Sequence, residues 1–296
     1  MLGGIFSCSK VQYCQDSNRD FGFTLFVTLR ELTFSSVDDL LAAYARGRLP
    51  AFPTGSAFSP SRLGPLVELG FFQNSERLGP LFCTPWLTQG TQRPLLQALM
   101  TTRDLWFGPN EQQGFMRTVF DPLEEASVPT RTRFLIAMRM AAQKITNLPK
   151  ATAQSLAAAI REMESNVHEH SNSPRTGILL YQALPNSFEF VVADSGLGVL
   201  ESLKKAPEYA DLTDSGKALQ IALQEGASRF GADANRGYGF KDLFIGLANL
   251  NADLRFRSGD HALTISGPRP DSKIGQLAQK TSYPGFLISV HCSVSY

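Results

Sequence analysis

The stretch that most constrains this chain runs from residue 151 to residue 194, where the hydrophobic period changes once. Across 151–169, Leu156, Ile160, Met163 and Val167 recur at steps of four, three and four. That spacing puts them on one stripe of an α-helix. Two apolar runs follow, GILLYQAL (177–184) and FEFVVAD (188–194), parted by Pro185-Asn186-Ser187. A turn-forming triplet between two β-rich runs signals a hairpin. A helix with one apolar stripe and a hairpin with apolar residues satisfy each other by packing together. The pattern predicts helices laid on one face of a sheet.

The flanking segments extend that layout. A helix is expected over 131–146. A turn, DSGLG, follows residue 193, then two helical stretches and a Gly-rich loop. GYGFKDLFIGLANL (237–250) reads as a helix opened by glycines, and DLRFRS, ALTIS and FLISVHCSV read as closing strands. The expected class is α+β: a two-layer sandwich with a mixed, mostly antiparallel sheet and helices on one face, over 126–296. The polar, Pro-bounded DPLEEASVPT (121–130) marks the domain boundary. Upstream, 1–125 reads as a small α/β domain of sensor or interaction type. Its signals are a β-rich 22–29 and a helix in SSVDDLLAAYARG, with Ser36 and Asp39 as a capping box and Gly47 as a stop. Residues 48–66, rich in Pro and Gly, read as loop.

Composition narrows the function classes. Of 296 residues, 43% are hydrophobic and 19% charged, which supports a packed core and argues against disorder. The net charge is +1 with no basic run, so neither nucleic acid nor a membrane surface is an expected partner. No apolar run approaches the length of a membrane span, and the first residues lack signal-peptide character. Cys8, Cys14, Cys83 and Cys292 form no CxxC pair, so zinc is not expected and free thiols in a reducing cytoplasm are.

Three places carry chemistry. In EMESNVHEHS (162–171), Glu162 and Asn166 are four apart, so they share a helix face with Cβ atoms about 5–6 Å apart. An amide oxygen is a hard ligand suited to Mg²⁺, and a carboxylate one turn earlier can take a proton from a hydroxyl or water. His170 lies a further turn along, whereas His168 and His170 do not share a face, which argues against an HxH metal site. The competing reading is a solvated helix end. In DSGLG (194–198), Asp194 stands at a strand's C-terminal end beside Gly196 and Gly198. A carboxylate there can accept a hydrogen bond from an exocyclic amine, and glycines allow close backbone approach to a flat ligand. In RGYGF (236–240), Gly237 and Gly239 open a helix whose N-terminus favours phosphate, with Arg236 and Lys241 adding positive charge. Gly turns between ordinary elements are the competing reading of both. Neither Walker A nor Rossmann spacing is present.

In this order, and in this context, the three motifs resemble those of the GHKL or Bergerat-fold ATPases. That family includes histidine-kinase catalytic domains, anti-sigma-factor serine kinases, DNA gyrase, MutL-type repair proteins and the ninety-kilodalton chaperones. EMESNVHEHS is similar to the family's N box, DSGLGV to its G1 box and GYGF to its G2 box. ALQEGASRFG, ending at residue 231, resembles the start of the lid in the anti-sigma and sensor-kinase branch, which brings in Ser228. The resemblance covers residues 131–292. It implies Glu162 as general base, Asn166 as the Mg²⁺ ligand and Asp194 as the partner of the adenine amine. Gly196 and Gly198 would line the base and ribose, and His170 would be an auxiliary pocket residue. Ser228, Arg236, Gly237, Tyr238 and Gly239 would close over the phosphates. Val167 replaces the family's usual Ala, and Gly285-Phe286 stands where the family often has Gly-Thr. RLGPLVELGFF in the first half is faintly similar to the end of a STAS module.

The implied activity is that of a cytoplasmic Mg-ATP-dependent protein kinase of serine/threonine type, or an ATPase, acting on a protein partner; a homodimer is compatible with it. The alternative is an ATP-gated interaction switch with little turnover. A structural α+β protein with glycine turns is the third reading. Autophosphorylation on histidine is excluded by position: His168, His170, His261 and His291 include none on a helix upstream of the ATP-binding half.

Overall fold

The computed structural model describes residues 28–46, 56–76, 92–225, 243–244, 246–270 and 275–294. The chain divides into two compact units, Met1–Arg103 and Asp104–Tyr296.

The first unit contains β1 (Thr28–Glu31), α1 (Phe34–Ala45), β2 (Ser56–Ser59), α2 (Leu63–Glu76) and α3 (Arg93–Leu99). β1 and β2 pair in parallel, with Thr28 opposite Ser56. Parallel neighbours need a crossover, and α1 lies in it. The capping box of α1 is not Ser36 with Asp39. Thr33 is the N-cap: its hydroxyl accepts the Ser36 N–H, and the Ser36 hydroxyl accepts the Thr33 N–H. The helix therefore starts one turn earlier than the capping pattern suggested. The expected loop over 48–66 instead holds β2 and the start of α2. Gly64 and Pro65 fall in the first turn of that helix, where a missing N–H costs nothing.

The second unit contains β3 (Leu105–Phe107), β4 (Gln113–Arg117), α4 (Val128–Lys144), α5 (Lys150–His170), β5 (Ile178–Leu184), β6 (Ser187–Asp194), α6 (Gly198–Leu203), α7 (Ser215–Glu225), β7 (Asn251–Pro268) and β8 (Gln276–Ser293). Its fold class is α+β. Six strands form one open sheet in the order β3-β4-β5-β6-β8-β7, with every neighbouring pair antiparallel. β3 pairs with β4 and β4 with β5, so the unit begins upstream of the Pro-bounded segment at 121–130.

Strand alternation gives the sheet two different faces. Phe188, Phe190, Val192 and Asp194 of β6 share one face, directly opposite Cys292, Val290, Ile288 and Phe286 of β8. That face carries the core, which joins Phe134 and Met138 of α4, Leu219 and Leu223 of α7, and Leu156, Ile160, Met163 and Val167 of α5. The stripe read from the sequence is thus the buried side of α5, and each such side chain contributes about 1.5–3 kcal/mol by leaving water. The other face bears a polar row across five strands: Gln113, Gln182, Glu189, His291 and Asp253.

DLRFRS and ALTIS are not separate strands. β7 runs through both, kinked at Ser258–His261 by a register shift in which Gly259 takes φ +54°. A positive-φ glycine lets the strand bend without ending. Among the described residues, no helix is long and apolar enough to cross a membrane.

Candidate functional site

The polar segment EMESNVHEHS lies in the last turns of α5 and splits into three faces. Met163 and Val167 are buried in the core. Glu164 is also fully buried, where Arg131 of α4 grips it through two parallel bonds, Nε to Oε1 at 2.6 Å and Nη2 to Oε2 at 2.9 Å. Glu162, Asn166 and His170 are half-buried along a third line. Steps of four advance about 6 Å along the helix axis, so this line climbs toward the helix's C-terminal end. His168 points elsewhere. Burial lowers its pKa, and Glu164 and Asp121 oppose that shift.

The Asp194 turn meets α5 at that same end. The carbonyl of Ser171, the residue after His170, accepts the Leu197 N–H at 2.8 Å. A Cβ on Gly196 would sit 2.1 Å from that carbonyl oxygen, so only glycine lets the turn seat there. Thr176 Oγ1 accepts the Ser195 N–H at 3.1 Å. Asp194 is 3% exposed, and its Oδ1 accepts the Gly196 N–H at 2.7 Å. Burial pushes its carboxyl up to about 7, against the pull of the Gly196 hydrogen bond.

Two further strands close round the turn. Gly198 takes φ +76°, and a Cβ there would meet Ser258 Oγ at 2.7 Å. Gly285 takes φ +74°, and its Cβ would fall 2.1 Å from the Asp194 carbonyl oxygen. Ser258 Oγ accepts the Val199 N–H at 2.9 Å and donates to the Gly285 carbonyl at 2.8 Å. Phe286 pairs directly with Asp194 on one side and Ser258 on the other, so all three side chains share the helix-bearing face.

The structure thus brings Gly196 and Leu197, in the turn that runs from Asp194 to Gly198, against Ser171, the residue after the helix that carries Glu162, Asn166 and His170. Gly196 and Gly198 have packing reasons of their own to be glycine. Ser228, Arg236, Gly237, Tyr238 and Gly239 lie outside the described residues, as does Lys241. Ser258 is a part of the site that no motif spacing reveals, because strand register and not sequence proximity brings it and Gly285 to the turn.

A second polar cluster ties the start of α7 to the bend in β7. Ser215 Oγ donates to the Asp260 carboxylate, and Gln279 Nε2 donates to it at 3.0 Å. His261 Nδ1 lies 2.9 Å from Asp260 and 3.0 Å from Ser215 Oγ. These bonds, that of Ser215 foremost, hold the Asp260 carboxyl well below the usual range. One imidazole nitrogen faces both Ser215 and Asp260. A proton relay needs the two nitrogens to serve separate partners, so the cluster is a tie and not a nucleophilic triad.

Among the described residues, no group of three or more His, Cys, Asp or Glu could hold a metal ion. A magnesium ion carried on a triphosphate needs no such cage, since one or two protein oxygens suffice alongside phosphate oxygens and water. The half-buried amide of Asn166 fits that demand. No family model matches the chain, and no curated protein matches it.

Proposed function

We propose that this protein binds Mg-ATP in a Bergerat-type site in its second unit and is a protein kinase or ATPase of the GHKL class acting on a protein partner. The observation that carries the reading is the seating of the Asp194–Gly198 turn on the C-terminal end of α5. A buried carboxylate at the C-terminal end of the interior strand β6 then stands in the turn that bonds the residue after the helix bearing a line of half-buried polar side chains. The order of helix, hairpin and turn also follows the order of the first two boxes.

In this reading Asp194, freed of its proton, accepts the exocyclic amine of the base through the carboxylate edge not taken by Gly196. Asn166 Oδ1 would hold Mg²⁺, which would offset the charge of the phosphates. Glu162 accepts the proton of the attacking hydroxyl or water as the terminal phosphoryl group leaves ATP. His170 would border the pocket; the phosphate-binding role of Ser228, Arg236, Gly237, Tyr238 and Gly239, which lie outside the described residues, follows from the resemblance alone. A serine or threonine acceptor follows from the resemblance to anti-sigma-factor kinases.

The test compares wild type with Glu162→Ala, using terminally labelled ATP and the full chain. The expected result is unchanged Mg-ATP binding with phosphate release or transfer lower by about 10²–10⁴. Binding without turnover in the wild type, and without label reaching any protein of a cell extract, would favour the ATP-gated switch. No Mg-ATP binding at all would end both.

A further inference from the structure

We propose that Ser258 is the positioning residue of the base-anchoring turn: its hydroxyl clamps β8 to α6 and so fixes where the Asp194 carboxyl points. The inference rests on the nucleotide reading of Asp194 above. Its grounds are geometric. Ser258 is 2% exposed and sits on β7, two strands from Asp194. Its single hydroxyl serves both neighbours at once, donating to the Gly285 carbonyl at 2.8 Å and accepting the Val199 N–H at 2.9 Å.

Both bonds lead to Asp194. Gly285 lies so close to the Asp194 backbone that a Cβ there would meet the Asp194 carbonyl oxygen at 2.1 Å and the Gly196 nitrogen at 2.7 Å. Any drift of Gly285 moves the residue that precedes the turn. Val199 is one residue beyond Gly198 and three beyond Gly196, whose N–H holds Asp194 Oδ1 at 2.7 Å. Releasing Val199 frees the other end of the same turn. The neighbouring glycines leave no side chains to take over the clamp: a Cβ on Gly198 would lie 2.7 Å from the Ser258 oxygen. The hydroxyl occupies the space between the two left-handed glycines, Gly198 and Gly285.

A merely structural serine and a positioning serine differ in what happens to the Asp194 proton. Burial is the main reason the Asp194 carboxyl is raised. A loosened turn admits water and brings its midpoint down.

The experiment follows the Asp194 carboxyl carbon by NMR against pH in the full chain, for wild type, Ser258→Ala and Ser258→Thr. Mg-ATP dissociation constants are measured alongside. Ser258→Ala is expected to lower the Asp194 midpoint and raise Kd about tenfold, the usual weight of a hydrogen-bonded contact. Ser258→Thr, which keeps the hydroxyl, is expected to restore both. Should Ser258→Ala fail to fold, Ser258→Cys, similar in size but a much weaker hydrogen-bonding group, replaces it. A folded Ser258→Ala whose Asp194 titrates as in wild type overturns the proposal, and so does a shift that Ser258→Thr fails to reverse. If the midpoint moves as expected while wild type binds no Mg-ATP, the nucleotide reading falls and the clamp stands.

Discussion

Replacing Asp194 by Asn should make the protein more stable at alkaline pH, although it alters the proposed base anchor. The folded-state carboxyl is raised from 3.8 to about 7 by burial, so the folded chain binds its proton more tightly than the unfolded chain does. Between about pH 4 and pH 7 the folded state therefore holds more protons, and stability falls as pH rises. The cost is absent below pH 4 and complete above pH 7. About three pH units at about 1.4 kcal/mol each gives a cost on the order of 4 kcal/mol. Asn has nearly the same shape, its Oδ1 can still accept the Gly196 N–H, and it carries no charge to bury. The stability difference between variant and wild type should climb from about 1 kcal/mol at pH 4.5 toward about 4 kcal/mol at pH 8.5. Urea unfolding at half-unit pH steps, followed through Trp106 in the second unit, measures it. A difference that does not change with pH, or a variant less stable than wild type at pH 8.5, would refute the reasoning.

Three other outcomes follow from the contacts. Gly196→Ala should destabilise the second unit by about 2–3 kcal/mol, because its Cβ collides with a backbone carbonyl that cannot swing aside; a loss below 0.5 kcal/mol in urea unfolding counts against the packing described. Arg131→Ala strands the fully buried Glu164 carboxylate and should cost about 3–5 kcal/mol, while Arg131→Ala combined with Glu164→Leu should recover much of it in the same assay. Asp260 has a lowered carboxyl pKa, so the stability it contributes is present above about pH 4 and fades as pH falls through the folded value. Asp260→Asn should thus be less stable than wild type at pH 7, with the gap narrowing below pH 4 in pH-resolved thermal melts.

The parts of the fold that were legible in the sequence are those set by local periodicity. Leu156, Ile160, Met163 and Val167 announced both α5 and its buried side, and Pro185-Asn186 announced the β5–β6 turn, where Asn186 takes φ 62°. Asp194 was legible as a strand's last residue for the same reason. What escaped notice depends on partners far along the chain. Nothing local marks Glu164 within its polar run as buried; its partner Arg131 stands thirty-three positions earlier. β7 looked like two strands because Gly259 interrupts its alternation, and bulges are fixed by the neighbouring strand. Gly64 and Pro65 suggested a loop because their composition does not distinguish a turn from a helix's first residues. Ser258 gave no signal at all, and Gly285 only that of the Gly-Phe pair, since the pairing of β6, β8 and β7 is what carries them to Asp194.

The most direct measurement is a calorimetric titration of Mg-ATP into the full chain at pH 8, for wild type and Asp194→Asn. Saturable binding to wild type is expected. Binding to the variant should be weaker by about tenfold to a hundredfold, because the group facing the base amine changes from a charged acceptor to an amide that can present a donor. Weaker binding in a variant more stable than its parent would separate the loss from any failure to fold. No binding to wild type, or equal binding to both, would contradict the assignment of Asp194 as the base anchor.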